Sequence, residues 1–538
     1  MITPAASTRR SFVKTIAGAA AVLAAVSRGA TAGSAPRPAA APSKRRIIWN
    51  NDGDDLRFVA FGIRRLWTAR DPDDIPLPER YGSVPEFLDL RMSALRDVPV
   101  DVISYCGVFN WPAWEMPRER IAALGEDPIK PVVDFAHRCG KEFFFNLRMN
   151  DCHSSLRFHG PAWWEPFRLR NLHLLQSKIP ADELAKRYLP WIRGESDVYP
   201  LQEVQDRSGA GNREVQSWSA YDYARLEVRD YFLGLVREVC ERYEVDGVDL
   251  DWLRHPFFFR FGEERKGIPV MNDFVRRVAA TVRAAAKRRG RTIVLAMRVP
   301  DTPERAQEIG LDVPTWLAEG WIDVLVAGNG LTCFSVPVAS WIELAAPRAI
   351  PVYGCITRNA PGLADPAALR GASHRLWENG VSGLYFFNHF IPQEYDTITV
   401  AADRARLAAA AKTYLVDASY TRSQNGTVFS GPLPLEFSSC VEESTVELTM
   451  EIPESPAGAR APRLEAQWRG NGLDARTRWE VNGMAVPRVG RGGGATLVYR
   501  AEGLKSGLNR LRVTVEPVQD TSNAVALLQA VRIVVERR

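Results

Sequence analysis

The chain has 538 residues, 46% hydrophobic and 25% charged, with a formal charge of +5. Length alone allows two to four domains, and the composition is that of a globular protein, not of a disordered or fibrous one. The basicity sits in the first residues, so it gives no support to nucleic-acid binding.

Ser7-Thr8-Arg9-Arg10-Ser11-Phe12-Val13-Lys14 looks like a twin-arginine export consensus, followed by an apolar run from Ile16 to Val26 and a small-residue site at Ala30-Thr31-Ala32. Cleavage after Ala32 removes Arg9, Arg10, Lys14 and Arg28 and no acid, taking +5 to +1. The run is too short and Ala-rich for a stable transmembrane span. Residues 33 to 44, rich in Ala, Pro and Ser, read as a disordered leader. Residues 1–45 are therefore expected to be a signal peptide and leader. The mature chain is expected to be periplasmic or extracellular, without a transmembrane segment. Seven scattered cysteines (106, 139, 152, 240, 333, 355 and 440) form no CxxC pair. They argue against a disulfide framework or a zinc site, and no metal or cofactor is expected.

From Arg46, short apolar runs alternate with helical periodicity, the pattern of βα units. Strands are expected at Ile47–Asn50, Val100–Tyr105, Glu142–Asn150, Val245 onward, Thr292–Val299, Ile322–Ala327, Ile350–Cys355 and Gly383–Asn388. Helices are expected at Pro85–Arg96, Lys130–Arg138, Tyr223–Tyr243 and Asn272–Arg289, with a closing helix at Ala402–Tyr414. Eight repeats over residues 46–414 predict a (β/α)8 TIM barrel. A long insertion at about 151–220 carries Trp163, Trp164, Trp191 and Trp218, which read as a binding wall. Beyond residue 415, alternating runs at Val446–Met450, Leu464–Trp468, Arg478–Val481, Thr496–Tyr499, Asn509–Val515 and Ala530–Val535 predict an all-β sandwich over 415–538. The fold class is thus α/β, a barrel followed by a sandwich.

The fourth barrel strand carries the chemistry: Asp246-Gly247-Val248-Asp249-Leu250-Asp251-Trp252-Leu253-Arg254-His255-Pro256. Strand alternation places Val248, Leu250 and Trp252 on one face and Asp249 and Asp251 on the other. Two carboxylates turned into a barrel are costly unless paired or used, and the C-terminal ends of barrel strands are where catalytic groups sit. On strand three, Asn146, Arg148 and Asn150 share the inward face, with Asp151 and His153 just beyond. Other strand ends add Asn50 and Asp52, Arg298 and Asp301, Asn329, Tyr353, and Asn388 and His389. Together they make a polar ring suited to a polyhydroxylated ligand. Asp251 is the expected catalytic carboxylate, with Asp249 tuning or orienting it. Asp301 and Asp151 are open alternatives for a second acid. Asp52, Arg148, Asn150, Asp151, His153, Trp252, Arg254, Arg298, Asn329, Tyr353, Asn388 and His389 are the expected substrate contacts.

The stretch Asp246-Gly247-Val248-Asp249-Leu250-Asp251-Trp252 resembles the strand-four signature of family 18 glycoside hydrolases, the chitinases. That signature continues with the glutamate that protonates the glycosidic oxygen, a place held here by Leu253. The continuation Leu253-Arg254-His255-Pro256 looks like that of glycosyl-hydrolase-like barrel families, in which the aspartate matching Asp251 is the catalytic carboxylate. The resemblance implies a glycoside hydrolase acting on an oligo- or polysaccharide. Two alternatives stand beside it. One is a non-catalytic glycan-binding barrel, because Leu253 replaces the acid. The other is a polysaccharide lyase, because Arg148, Arg254, Arg298 and Tyr353 are expected near the mouth. In the sandwich, Gly507-Leu508-Asn509 resembles the Gly-x-Asn strand start of galactose-binding-like domains.

Overall fold

The computed structural model describes residues 46–53, 56, 83–107, 127–152, 166–192, 195–196, 218–328, 334–358, 362–389, 392–418, 420–421, 428–429, 431–437, 443–455, 459–469, 477–516 and 526–537. The export segment, Trp163, Trp164, His153 and Asn329 lie outside these residues.

Eight parallel strands close into a barrel in sequence order: β1 Ile47–Asn51, β2 Val102–Cys106, β3 Glu142–Arg148, β4 Gly247–Asp251, β5 Val294–Pro300, β6 Val324–Gly328, β7 Val352–Thr357 and β8 Gly383–Phe387. All eight lie where the βα alternation predicts them. Lys130–Arg138 is helical as expected, and the helix before β4 runs Leu226–Arg242, burying Val228, Phe232, Val236 and Val239 at helical spacing. The helix after β4 starts earlier than its periodicity suggested, at Glu264, and carries Pro269 in its second turn. It stops at Gly290, whose φ of 66° closes the last turn after Lys287, Arg288 and Arg289.

Alternation sorts the strand side chains into two layers. Phe145, Leu147, Val248, Leu250, Leu295 and Met297 face outward into the main hydrophobic core. Ile48, Val102, Phe144, Val294, Ala296, Val324, Val326 and Tyr353 fill the hollow. Two glycines make room for the largest of these. A Cβ at Gly247 would lie 2.6 Å from the Phe144 ring, and one at Gly383 would lie 2.3 Å from Tyr353.

The expected last helix, Ala402–Tyr414, is instead two short helices, Tyr395–Ala402 and Arg404–Ala409, followed by a strand, β9 Lys412–Leu415. Asp403 caps the second helix through Ala405 and Arg406 N–H. The Ala-rich stretch then gives way to alternating Lys412-Thr413-Tyr414-Leu415, whose backbone pairs with the C-terminal sandwich.

The remaining strands are β10 Tyr420–Thr421, β11 Val428–Phe429, β12 Leu435–Glu436, β13 Ser444–Ile452, β14 Arg463–Arg469, β15 Thr477–Val481, β16 Met484–Val486, β17 Arg488–Arg491, β18 Thr496–Arg500, β19 Gly507–Val515 and β20 Leu527–Val535. One antiparallel sheet has the order β12-β20-β14-β18-β17, with β9 also on β20. The other has the order β13-β19-β15-β16. All six expected runs are strands. Asn482-Gly483, with φ of 52° and 83°, turns β15 into β16 as the dipeptide suggested. Asn509 is buried, binding Lys505 N–H and Asn482 through Oδ1 and Lys505 and Gly507 carbonyls through Nδ2. In the strand start that resembles galactose-binding-like domains, this side chain secures the preceding loop.

Barrel and sandwich share one hydrophobic cluster and lie in one compact unit. Buried polar groups rivet them. Lys412 Nζ donates to the Leu407, Ala408 and Ala410 carbonyls and lies 3.3 Å from Glu454. Tyr414 donates to Glu454 at 2.7 Å and meets His374 of the helix Pro366–Glu378 at 3.0 Å. Arg537 also binds Glu454. Among the described residues no helix is long and apolar enough to cross a membrane.

Candidate active site

The hollow changes character with height. Above the apolar floor, Asp249 Oδ2 accepts from Ser104 Oγ (2.6 Å), Tyr385 OH (2.7 Å) and Asn146 Nδ2 (2.9 Å). Its buried Oδ1 has no hydrogen-bond partner among the described residues. Burial pushes the Asp249 carboxyl above the usual range, against the downward pull of those three donors. Asp249 is thus the hub of a sealed polar layer.

One pleat higher, register sets Asp251 between Arg148 on β3 and Arg298 on β5. Arg298 grips it at two points, Nε to Oδ1 at 3.0 Å and Nη2 to Oδ2 at 2.9 Å. Leu253 N–H adds a bond to Oδ1 at 2.9 Å. Both side chains are fully buried, and the guanidinium lies 3.9 Å over the Phe387 ring. Asp251 holds Arg298 more firmly protonated than an ordinary arginine. Such a pair is expensive to desolvate and costly to break.

A second cluster sits beside it. Arg148 pairs with Asp151 at 2.9 Å, and Arg168 donates to the Asp151 carbonyl at 2.7 Å. Burial pushes the Cys106 thiol up to about 12, with Asp151, Asp52 and Asp251 adding to the rise and Arg148 opposing it. Burial lowers Arg254 to about 10, helped by Arg148 and opposed by the same three aspartates. Asp52, Arg148, Asp151, Asp251 and Arg254 therefore share one electrostatic neighbourhood. His255 Nδ1 accepts from Cys152 N–H at 3.1 Å and lies 3.8 Å from Asp151.

At the end of β8, Asn388 adopts a left-handed φ of 49° and donates its backbone N–H to Asn50 and its amide to Asp52 at 3.4 Å, and its buried Oδ1 has no partner among the described residues. Strain of this kind persists only where the surroundings enforce it. His389, fully buried, lies between Phe386 and Tyr395 with Glu394 3.9 Å away. Burial and nearby Arg358 lower it to about 4.

Three expected contacts and one candidate acid are otherwise engaged. Trp252 lies in the outer core against Phe258, Phe274 and Trp316, as its strand parity requires. Tyr353 belongs to the floor, near the start of β7 and against Gly383. The Asn150 amide is spent on backbone, accepting from Tyr221 N–H and donating to the Tyr221 and Phe257 carbonyls. Asp301 pairs with Arg305 of the following helix at 2.7 Å. In the insertion, Trp191 and Trp218 are buried and Trp218 stacks on Tyr188 at 4.4 Å, so these two build core rather than a binding wall. Sequence reading did not nominate Ser104, Tyr385, Arg168 or His255. The first two occupy inward positions of β2 and β8, a signal available once the strands are in register.

A closed parallel barrel whose acids and arginines gather at the C-terminal strand ends has the layout of a barrel enzyme's working face. No family model matches the chain, and no curated protein matches it. Among solved structures it is similar to an alpha-amylase from Anoxybacillus, at 12% identity and TM-score 0.39 over 88% of this chain and 99% of the amylase. It is also similar to a chitinase from Bacillus thuringiensis, at 9% and 0.35 over 91% and 100%. A family 18 chitinase from Chromobacterium violaceum matches at 11% and 0.34 over 94% and 93%. These structural neighbours are glycoside hydrolases, and at this distance the chemistry has to come from the chain's own side chains.

Proposed function

We propose that the protein is an exported glycoside hydrolase, sent out by its twin-arginine segment, that cleaves an oligo- or polysaccharide at the C-terminal mouth of the barrel. The observation that carries the reading is Asp251, a carboxylate set in the upper hollow between two arginines, directly above the sealed Asp249 layer. Glycosidic cleavage takes a pair of carboxyl groups. With both oxygens gripped by Arg298, Asp251 suits the nucleophile or the stabiliser of positive charge on the sugar, not the proton donor. Asp151 and Asp52 share its neighbourhood, and one of them supplies the second carboxyl; Asp301, bound to Arg305, is the weaker choice. Asp249 acts from below as a positioning group. Asn388 Oδ1 offers an acceptor to a sugar hydroxyl.

The test is reducing-end release across a panel of polysaccharides, with Asp251→Asn beside the wild type. A loss on the order of 100- to 10,000-fold is expected, with the fold checked by circular dichroism. Wild-type turnover by a folded variant would remove the proposal.

One observation favours a second reading, a glycan-binding barrel without turnover: the Asp251 side chain is fully buried and its oxygens are taken. Calorimetric binding of a glycan with no product would support it. The lyase reading loses its phenol, since Tyr353 lies in the floor.

A further inference from the structure

The outer face of the β12-β20-β14-β18-β17 sheet holds an unusual juxtaposition. Arg463 on β14 and Arg500 on β18 are direct cross-strand partners. Both point outward, since Leu464 and Tyr499, their strand neighbours, are in the sandwich core. Like charges directly opposite one another destabilise a sheet. Here acids offset that cost: Glu536 binds Arg463 at 2.7 Å with Glu465 3.8 Å away, and Glu502 lies 3.6 Å from Arg500.

Arg500 and Ala461 are shared by two adjoining open depressions, of about 680 and 370 Å³. The larger extends toward Lys505 and the smaller toward Arg460 and Arg463. Four basic side chains, Arg460, Arg463, Arg500 and Lys505, thus face two acids, Glu502 and Glu536. Through these shared residues the two depressions join into one groove whose lining has an excess of positive charge. Among the described residues no aromatic ring lines it, so nothing there offers the stacking surface that neutral sugars favour. Guanidinium groups bind carboxylates through two parallel hydrogen bonds.

We propose that this groove is a binding site for an acidic polysaccharide, a chain bearing carboxylates that runs from Arg460 past Arg500 to Lys505. The choice of a glycan among polyanions rests on the reading of the barrel as acting on glycans. In that arrangement the sandwich holds the polymer by charge while the barrel works on it.

The full chain would be run in native gels containing polygalacturonate, its fully methyl-esterified counterpart, or double-stranded DNA. Retardation by polygalacturonate alone is expected, weakening as salt is raised. The triple variant Arg460→Gln, Arg500→Gln, Lys505→Gln, whose three sites are exposed, should bind about tenfold more weakly, since each exposed charge contact contributes modestly. Equal retardation by the esterified polymer or by DNA would overturn the proposal, as would a triple variant that binds like the wild type. The readout involves no turnover. Loss of the hydrolase reading would therefore leave this result standing.

Discussion

At the scale of single residues, the two aspartates of β4 differ more than their spacing suggests. Asp249 ends in a sealed polar layer, Asp251 in a two-point ion pair. Alternation made both inward positions legible, because parity along a strand decides the face. It does not give the height. Tyr353 has inward parity but lies near the start of β7, so it fills the floor. Parity also lapses where the strand stops: β3 ends at Arg148, and the turn beyond aims Asn150 at neighbouring backbone. His389 leads to a prediction. Its folded pKa of about 4 lies below the ordinary value near 6.5, so the unfolded chain binds the extra proton first. The resulting stability is complete above about pH 6.5 and is lost as pH falls toward 4, a change of about 3 kcal/mol. Urea unfolding at pH 7 and pH 4.5 should show that slope in the wild type and a flatter one in His389→Phe, which keeps the ring packing against Tyr395.

At the scale of elements, the strands and the long helices were legible from their periods, with the helix after β4 beginning at Glu264, ahead of the expected Asn272. The closing helix was not. Its alanines favour helix, yet Lys412–Leu415 gains the backbone of β20, and tertiary pairing outweighs local propensity there. The barrel floor gives the element-scale prediction. Gly383→Ala would drive a methyl into Tyr353 and toward the Arg46 carbonyl, 2.3 and 2.6 Å away. A loss of about 1–3 kcal/mol is expected in denaturant melts. Adding Tyr353→Leu should recover part of it, because residues in contact couple; a purely additive pair would contradict this picture of the floor.

At the scale of the whole molecule, the change of pattern near residue 415 announced a second fold class but not how firmly it is attached. Nothing in the spacing of Lys412, Tyr414, Glu454 and Arg537 shows that they meet. The structure draws them into one buried network between the barrel's last helices and the sandwich. Glu454→Ala would strip Lys412 and Arg537 of their shared carboxylate. The expected cost is roughly 3–5 kcal/mol, read as a lower midpoint in a single calorimetric transition that spans barrel and sandwich. Two separate transitions in the wild type would show that the network does not join them.

The central claim is that the Asp251–Arg298 pair serves chemistry rather than stability. Asp251→Asn alone leaves a buried arginine uncompensated, so the sharper variant replaces both, Asp251→Asn with Arg298→Met. Replacing both partners by uncharged side chains of similar size strands no charge in the barrel. The decisive measurement is reducing-end release by this double variant on whichever glycan the wild type cleaves. A protein that melts near the wild-type temperature and releases no product is the expected result. Wild-type release would contradict the account, reducing the pair to a brace inside the barrel.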